Sequence, residues 1–231
     1  MTKIDVLDKG YVRYDKHMGD DLDVINSAKV SFDRSSATFE EREARLLAFL
    51  VRDEHTSTFR HSAVTLEVYA PLLTARQWFK YAVASSHLED QFGWNESSRR
   101  YITENVEYHL PGPDEWRSAP ENKKQGSGPV LPEKEGQILT NHLIQVQNEG
   151  LENYEHAMSM GVAPEQARLF LPAYGLMVRW RWTFSLGAGL HFLHQRLAHD
   201  AQSEIRDYAV AVKDILEPLF PNAVASTLEK I

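Results

Sequence analysis

The chain of 231 residues contains no cysteine. This absence excludes disulfide bonds, a cysteine nucleophile and thiolate metal ligands, and it makes a reducing compartment, the cytoplasm, the expected location. No apolar run approaches the roughly 20 residues that a membrane-spanning helix requires, so no membrane partner is expected. The polar, acidic opening of the chain does not have the pattern of a signal peptide.

Positive charge is also in short supply, because the formal net charge is −8. A polymeric nucleic acid requires a basic surface and is therefore not expected as a partner. A small phosphorylated ligand is still compatible, since a few guanidiniums in one pocket bind a phosphate. The glycine-rich dinucleotide and phosphate-loop motifs and the GxSxG motif are absent. The histidines lack the spacing of a zinc signature, so we expect no metal site.

The residues that are present predict one globular domain spanning residues 1–231, because 42% of them are hydrophobic. Apolar and polar residues alternate in SAVTLEVYA and in LMVRWRWTFS, which predicts two strands, the second with an aromatic face. The opening KIDVLDKGYVRYDKH predicts a strand or a hairpin. The stretch 111–132 is rich in proline, glycine and charge and predicts an exposed excursion.

Helical periodicity separates these strands. Thr38 and Glu41 have the spacing of a capping box, which predicts the start of a helix. Further helices are expected from Pro71 onwards and over residues 133–160, and two more, over 186–198 and 201–219, close the chain. Strands separated by long helices indicate an α+β fold with a mixed or antiparallel sheet.

Two clusters of donors suggest a ligand site. The helix after Pro71 carries RQWF, and the segment NESSRRY, residues 95–101, follows it with an amide, a carboxylate, hydroxyls and guanidiniums. Arg168 and Arg196 each stand in a largely apolar stretch, where an arginine either extends its head group to water or offers it to a ligand. Convergence of these groups would bind an anionic, hydrogen-bonding molecule.

These motifs resemble the flavin-dependent thymidylate synthase family. RQWF is intact at residues 76–79, and Asn95, Glu96, Ser98, Arg100 and Tyr101 match the family's NE-x-S-x-R-Y pattern. Further landmarks, KIDVLDKG, AKVSFD, HTSTFRH, ARLFLP and AQSEI, follow in family order, so the resemblance covers nearly the whole chain.

The resemblance implies a homotetramer of α+β subunits with active sites shared between chains. It implies transfer of a methylene group from methylenetetrahydrofolate to C5 of dUMP, with FAD as the hydride source and NADPH as its reductant. The implied substrate-binding residues are Gln77, Glu96, Ser98, Arg100, Arg168 and Arg196, and Arg196 is also the implied catalytic residue. The implied cofactor-binding residues are Ser31, His55, Ser57, Lys80 and Glu96.

The chain departs from the family pattern at the flavin side of the site. Lys80, Tyr81 and Ala82 replace the family's Arg-His-Arg, and residues 86–93 form an insertion of about eight residues. Ser185 and Gly187 stand where the family carries asparagine and arginine. Three functions therefore remain open: the thymidylate synthase reaction, a folate-dependent hydroxymethylation of dUMP or dCMP with a weakened flavin site, and a nucleotide-binding subunit without catalysis.

Overall fold

An antiparallel sheet forms the centre of the protein in a computed structural model, which describes residues 2–81, 94–97, 105–121 and 126–231, without the side chain of Ser31. Its strands are β1 (Lys3–Val6), β2 (Gly10–Met18), β3 (Ala63–Pro71), β4 (Trp94–Glu96) and β5 (Met177–Ser185). They lie in the order β1-β2-β3-β5-β4, and each neighbouring pair is antiparallel. Of the two alternatives for the opening segment, the hairpin is present, and the two alternating strands are confirmed.

Eight α-helices accompany the sheet within the described residues. They are α1 (Asp21–Lys29), α2 (Glu41–Arg52), α3 (Leu72–Trp78), α4 (Glu133–Ser159), α5 (Pro164–Ala167), α6 (Leu186–Arg196), α7 (Ser203–Leu216) and α8 (Pro221–Leu228). A 3₁₀ turn, Phe79–Tyr81, extends α3, and another, Thr56–Arg60, follows α2. None of the helices in these ranges is long and apolar enough to cross a membrane.

The predicted aromatic face of β5 forms the centre of the core. Trp180, Trp182 and Phe184 are buried and face Trp78 of α3 and Phe192 of α6. The Trp78 ring meets Trp180 and Trp182 edge-on at centroid distances of 5.4 and 5.5 Å, and it stacks on Phe192 at 4.6 Å. Aromatic pairs in these geometries contribute about 0.5–1.5 kcal/mol each beyond their buried area. The cluster therefore fixes α3 and α6 against the same face of the sheet.

The strand–helix connections bring the ends of α3 and α6 together. Pro71 ends β3 beside Met177, and α3 begins directly after it, whereas α6 leaves β5 at the opposite end of the same strand pair. Ser185 caps α6, since its hydroxyl accepts a hydrogen bond from the backbone N–H of Ala188 at 3.2 Å. The two helices therefore approach from opposite ends of the sheet, and their C-terminal turns meet.

Two local predictions were wrong. Thr38 does not cap α2, because the helix starts at Glu41, one residue after an N-cap at Glu40, and the Thr38 hydroxyl instead donates to the Glu40 side chain at 3.1 Å. Helix α7 ends at Leu216 rather than 219, and a further helix, α8, follows it. The start of α8 is capped by Asp21 from the other end of the chain, whose carboxylate accepts from the backbone N–H groups of Asn222 and Ala223 at 2.7 and 3.3 Å.

The described part of the stretch 111–132 packs on α4. A Cβ added to Gly136 would lie 1.8 Å from the carbonyl oxygen of Pro113, so glycine permits the close approach. The Trp116 indole N–H donates to the Thr140 hydroxyl at 2.9 Å, and that hydroxyl donates to the Pro111 carbonyl at 2.9 Å. The division of the chain into one domain with an exposed excursion at 111–132 stays a prediction.

Candidate active site

A cavity of about 370 Å³ opens where the C-terminal turns of α3 and α6 meet the loop before α7. Gln77 lines it from α3, and His194 and Arg196 line it from α6. Gln202, the residue before α7, also lines it. Two of the predicted substrate-binding residues, Gln77 and Arg196, are therefore brought together despite their separation in the chain.

The loop that completes this cavity is held by an arginine that sequence reasoning did not single out. Arg206 of α7 donates from Nη2 to the carbonyls of Ala198 and Ala201 at 3.0 Å each, and to the carbonyl of His199. One guanidinium therefore satisfies the backbone oxygens of the turn between α6 and α7. Because this turn carries Gln202 towards α3, Arg206 supports the shape of the cavity.

Arg196 is positioned by Tyr81. Its guanidinium carbon lies 5.3 Å from the centre of the Tyr81 ring, and the ring packs edge-on against Phe192 at 5.1 Å. Burial raises the pKa of the Tyr81 phenol above its ordinary value, although the charge and hydrogen bond of Arg196 act in the opposite direction. Tyr81 is therefore a neutral phenol that supports a cation. Arg196 Nε is buried and has no hydrogen-bond partner among the described residues.

Gln77 belongs to a line of polar side chains. Its Nε2 donates to Oε1 of Gln202, and Gln202 Nε2 donates to Glu204 at 2.8 Å. Arg117, from the described part of the stretch 111–132, donates from Nη2 to the other oxygen of Glu204. Gln77 is thus half-buried and fixed on its protein side.

A second cavity, of about 380 Å³, adjoins the first between α2, α6 and α8. Leu50, Phe59 and Leu190 form much of its apolar wall, while His194 and Lys230 line both cavities. His194 Nδ1 is buried and has no hydrogen-bond partner within the described ranges. The two cavities therefore share a wall that contains this unpartnered His194 nitrogen. The apolar lining of the second cavity suits an apolar ring system.

Four of the predicted cofactor-binding residues, His55, Ser57, Lys80 and Glu96, line neither cavity. The exposed His55 and Ser57 are the chain neighbours of Thr56, which lines the second cavity from the start of the 3₁₀ turn after α2. Lys80 is exposed at the end of α3 and lines neither cavity. The backbone of Ser31 lies in a 3₁₀ turn after α1.

Glu96, predicted for both substrate and cofactor, pairs opposite Trp180 at the sheet edge and lines neither cavity. Its side chain is exposed, yet crowding by neighbouring atoms raises its pKa, against the effects of Trp94 and Arg76. Because the side chain is exposed, water solvates its carboxylate.

The departures from the family pattern have visible local roles. Ser185 keeps the N-cap function at α6 that an asparagine would also perform. Gly187 lines the second cavity and adds no side chain to it. Tyr81 faces Arg196 and the aromatic core rather than solvent.

Two of the other predicted nucleotide-binding residues, Ser98 and Arg100, lie outside the described residues. Arg168 is exposed in the 3₁₀ turn Arg168–Phe170, its Nε donates to the Glu165 carbonyl at 3.3 Å, and it lines neither cavity. Among the described residues, no group of three or more histidines, aspartates or glutamates has the geometry of a metal site.

Sequence reasoning missed Gln202, Glu204 and Arg117. The AQSEI segment was noted as a family landmark, but no role followed from it, because a glutamine and a glutamate near a helix start are also typical of surface residues. Tyr81 lies four residues after Gln77 on the same stripe, which was the only local signal that the two share a site.

Comparison with known proteins assigns the family. The family model described as thymidylate synthase complementing protein matches residues 15–222. A flavin-dependent thymidylate synthase from Thermus thermophilus is 37% identical over 228 residues, covering 99% of this chain and 79% of that protein. A second, from Thermotoga neapolitana, is 35% identical over 219 residues, covering 95% of this chain and 91% of the relative. The chain belongs to the flavin-dependent thymidylate synthase family.

A solved structure supports the fold. A UMP/dUMP methylase, PolB, from Streptomyces cacaoi, bound with 5-Br UMP, matches with a TM-score of 0.81 at 22% identity, covering 99% of this chain and 97% of that one. The predicted family and the predicted α+β fold are both confirmed.

Proposed function

We propose that this protein transfers the one-carbon unit of methylenetetrahydrofolate to C5 of dUMP and yields dTMP, with FAD as cofactor and NADPH as reductant. Family membership over nearly the whole chain supports the reaction class. The observation that carries the proposal for this molecule is that Gln77 and Arg196 line one cavity, which adjoins a second, apolar one.

Arg196 is the proposed catalytic residue. The pyrimidine ring must become electron-rich before C5 can attack the one-carbon unit. As N3 and O2 gain electron density, a guanidinium held in place beforehand stabilises the negative charge. The support from the Tyr81 ring and the unused Nε donor are what such a role requires. Gln77 and Glu96 contact the nucleotide, Ser98 bonds near the base, and Arg100 with Arg168 binds the 5′-phosphate.

The second cavity and its surroundings are the proposed flavin site. When bound and reduced, FAD supplies the hydride that completes the methyl group. The apolar wall at Phe59 and Leu190 fits a planar ring, and the unpartnered His194 Nδ1 fits a ring heteroatom. Ser31, His55, Ser57, Lys80 and Glu96 are the proposed contacts to the rest of the cofactor. The folate binds beside the flavin.

We also propose that the enzyme is a homotetramer. Ile138, Val146 and Met158 of α4 are exposed, and so are Leu169, Phe170 and Tyr174 in the turns that follow α5. These turns pack against α4, since a Cβ at Gly150 would lie 2.8 Å from the Phe170 carbonyl oxygen. A second copy covering this surface would bury Arg168, which lies beside Leu169, at a subunit boundary, where it could reach the site of a neighbour. A cytoplasmic location stays a prediction from composition.

Product analysis tests the reaction. The protein is incubated with dUMP or dCMP and methylenetetrahydrofolate, with and without FAD and NADPH, and the nucleotides are analysed by mass spectrometry. We expect a methylated product from dUMP that forms only when both FAD and NADPH are present. A hydroxymethylated product formed without FAD would replace the proposal by the hydroxymethylase. Nucleotide binding without any product would identify a non-catalytic subunit.

A further inference from the structure

The line of side chains that ends at Gln77 has a defined direction of hydrogen bonding. Arg117 and Gln202 both donate to Glu204, and Gln77 donates to Gln202. Glu204 and Arg117 are shielded, with side chains 15% and 25% exposed, and neither lines a cavity. Two residues remote from the ligand space are therefore connected to one that lines it.

The charge at the far end decides the orientation of both amides. Burial opposes ionisation of Glu204, but hydrogen bonds from Gln202 and Arg117 and the guanidinium charge lower its pKa below the ordinary value. An ionised carboxylate only accepts hydrogen bonds, so Gln202 must turn its NH₂ group towards Glu204. The carbonyl oxygen of Gln202 then faces Gln77, so Gln77 must donate a hydrogen bond to it from its own NH₂ group. The oxygen of Gln77 is thereby turned away from Gln202.

We propose that Arg117 and Glu204 are positioning residues that act through Gln202 to present the carbonyl oxygen of Gln77 to the nucleotide, where it selects a base that carries N3–H. This inference rests on the proposed function for the identity of the ligand. Uracil has a hydrogen on N3 and donates it, whereas N3 of cytosine has none and accepts. Phosphate oxygens accept as well, so the phosphate is the wrong partner for this oxygen. The line of four side chains therefore favours dUMP over dCMP.

The variant Glu204→Gln should exchange donor and acceptor in the hydrogen bonds that connect residues 204, 202 and 77, and should not merely weaken these bonds. Arg117 only donates, so the new amide must turn its oxygen towards Arg117 and its NH₂ group towards Gln202. Gln202 then turns over, Gln77 turns over in response, and an N–H group faces the nucleotide. Two donors would meet at N3 of uracil, while N3 of cytosine would gain a partner.

Calorimetric titration of dUMP and dCMP into the FAD-loaded protein measures this effect. For Glu204→Gln we expect the Kd of dUMP to rise about tenfold, from the loss of one hydrogen bond and the exposure of an unsatisfied donor, and the Kd of dCMP to fall. The matched control is Glu217→Gln, which makes the same charge change at an exposed position just after the same helix and should leave both constants within about twofold. If Glu204 had a purely structural role, the Kd values of dUMP and dCMP would both rise in Glu204→Gln. That result would overturn the inference.

Amide exchange measured by nuclear magnetic resonance in the ligand-free protein tests the line without any nucleotide. The side-chain NH₂ signals of Gln77, assigned by their loss in Gln77→Leu, should exchange with solvent more slowly than those of the exposed Gln195. In Glu204→Gln this protection should disappear. Equal exchange rates for Gln77 and Gln195 in the wild type would show that the line does not form. A wild-type protein that binds neither nucleotide would instead refute the proposed function, and the exchange result would still decide the line.

Discussion

Replacing Arg196 by methionine should weaken nucleotide binding while leaving the fold intact. In the ligand-free protein the guanidinium has one described aromatic contact, the Tyr81 ring at 5.3 Å, and its Nε is buried without a partner among the described residues. The methionine side chain has a similar length and can cover the same apolar surface. The protein therefore loses little when the head group is removed, whereas a bound nucleotide loses a charged donor.

The two magnitudes follow from these contacts. The cation–π contact is worth about 0.5–1 kcal/mol at a half-exposed site, and the hydrogen bond to Tyr81 is worth about 1.5–3 kcal/mol, whereas removing an unsatisfied buried donor returns about 1–3 kcal/mol. The free energy of unfolding should thus fall by about 1 kcal/mol, which is a shift of roughly 2–4 °C in the unfolding midpoint for a chain of this size. A lost hydrogen bond from a charged donor costs the complex about 1.5–3 kcal/mol, or roughly a 10- to 150-fold rise in the Kd of dUMP.

Titration calorimetry with dUMP and a thermal unfolding scan measure both quantities on the same preparation. Arg52→Met is the matched control, because Arg52 is exposed, forms its ion pair with the adjacent Asp53, and lies outside both cavities. An Arg196→Met protein that keeps the wild-type affinity for dUMP would remove Arg196 from the site and refute the argument. A large loss of stability would show that its role is structural.

Three further predictions concern the scaffold. Gly136→Ala should lower the free energy of unfolding by about 1–3 kcal/mol in denaturant titration, because the new methyl group meets the Pro113 carbonyl and this clash outweighs a helix-propensity gain of about 1 kcal/mol. Ser185→Ala should cost about 1 kcal/mol by the same measurement, since α6 loses its N-cap acceptor. Hydrogen bonds from Lys29 and the Ser36 hydroxyl lower the pKa of Glu43 from 4.5 to about 2. The stability that ionised Glu43 contributes is therefore fully present above pH 4.5 and should be lost as pH falls towards 2. In Lys29→Met the free energy of unfolding should fall less steeply over this pH range.

Two of these predictions have a matched control in the same chain. Asn148→Ala adds alanine to an exposed position of α4, where no clash is expected, and should not destabilise the protein. An equal loss in Gly136→Ala and Asn148→Ala would contradict the steric argument, and an unchanged stability of Ser185→Ala would contradict the cap. For the acid prediction, Lys134→Met at an exposed site should titrate like the wild type; identical pH profiles for Lys29→Met and the wild type would contradict the assignment to Glu43.

The elements that could be predicted are those with a signal inside their own sequence. Strand β5 alternates apolar and polar residues over its whole length, and α4 repeats its apolar residues at helical steps, so both were found before any tertiary contact was known. Helix α8 was missed because it has only eight residues and its cap, Asp21, is supplied by the opposite end of the chain. A cap that comes from a distant segment leaves no local pattern.

The sequence by itself determined the fold class, the family and the residue types of a nucleotide site, since periodicity and motif spacing are local properties. Only the tertiary structure decided that Gln77 and Arg196 share a cavity, that Tyr81 supports the arginine, and that Arg117 is connected to Gln77 through Glu204. The physical reason is that β3 and β5 are neighbours in the sheet but far apart in the chain, so the helices that follow them meet only after the strands have paired. The direction of the hydrogen bonds from Arg117 to Gln77 likewise depends on which side chains the fold brings together, and not on their spacing in the sequence.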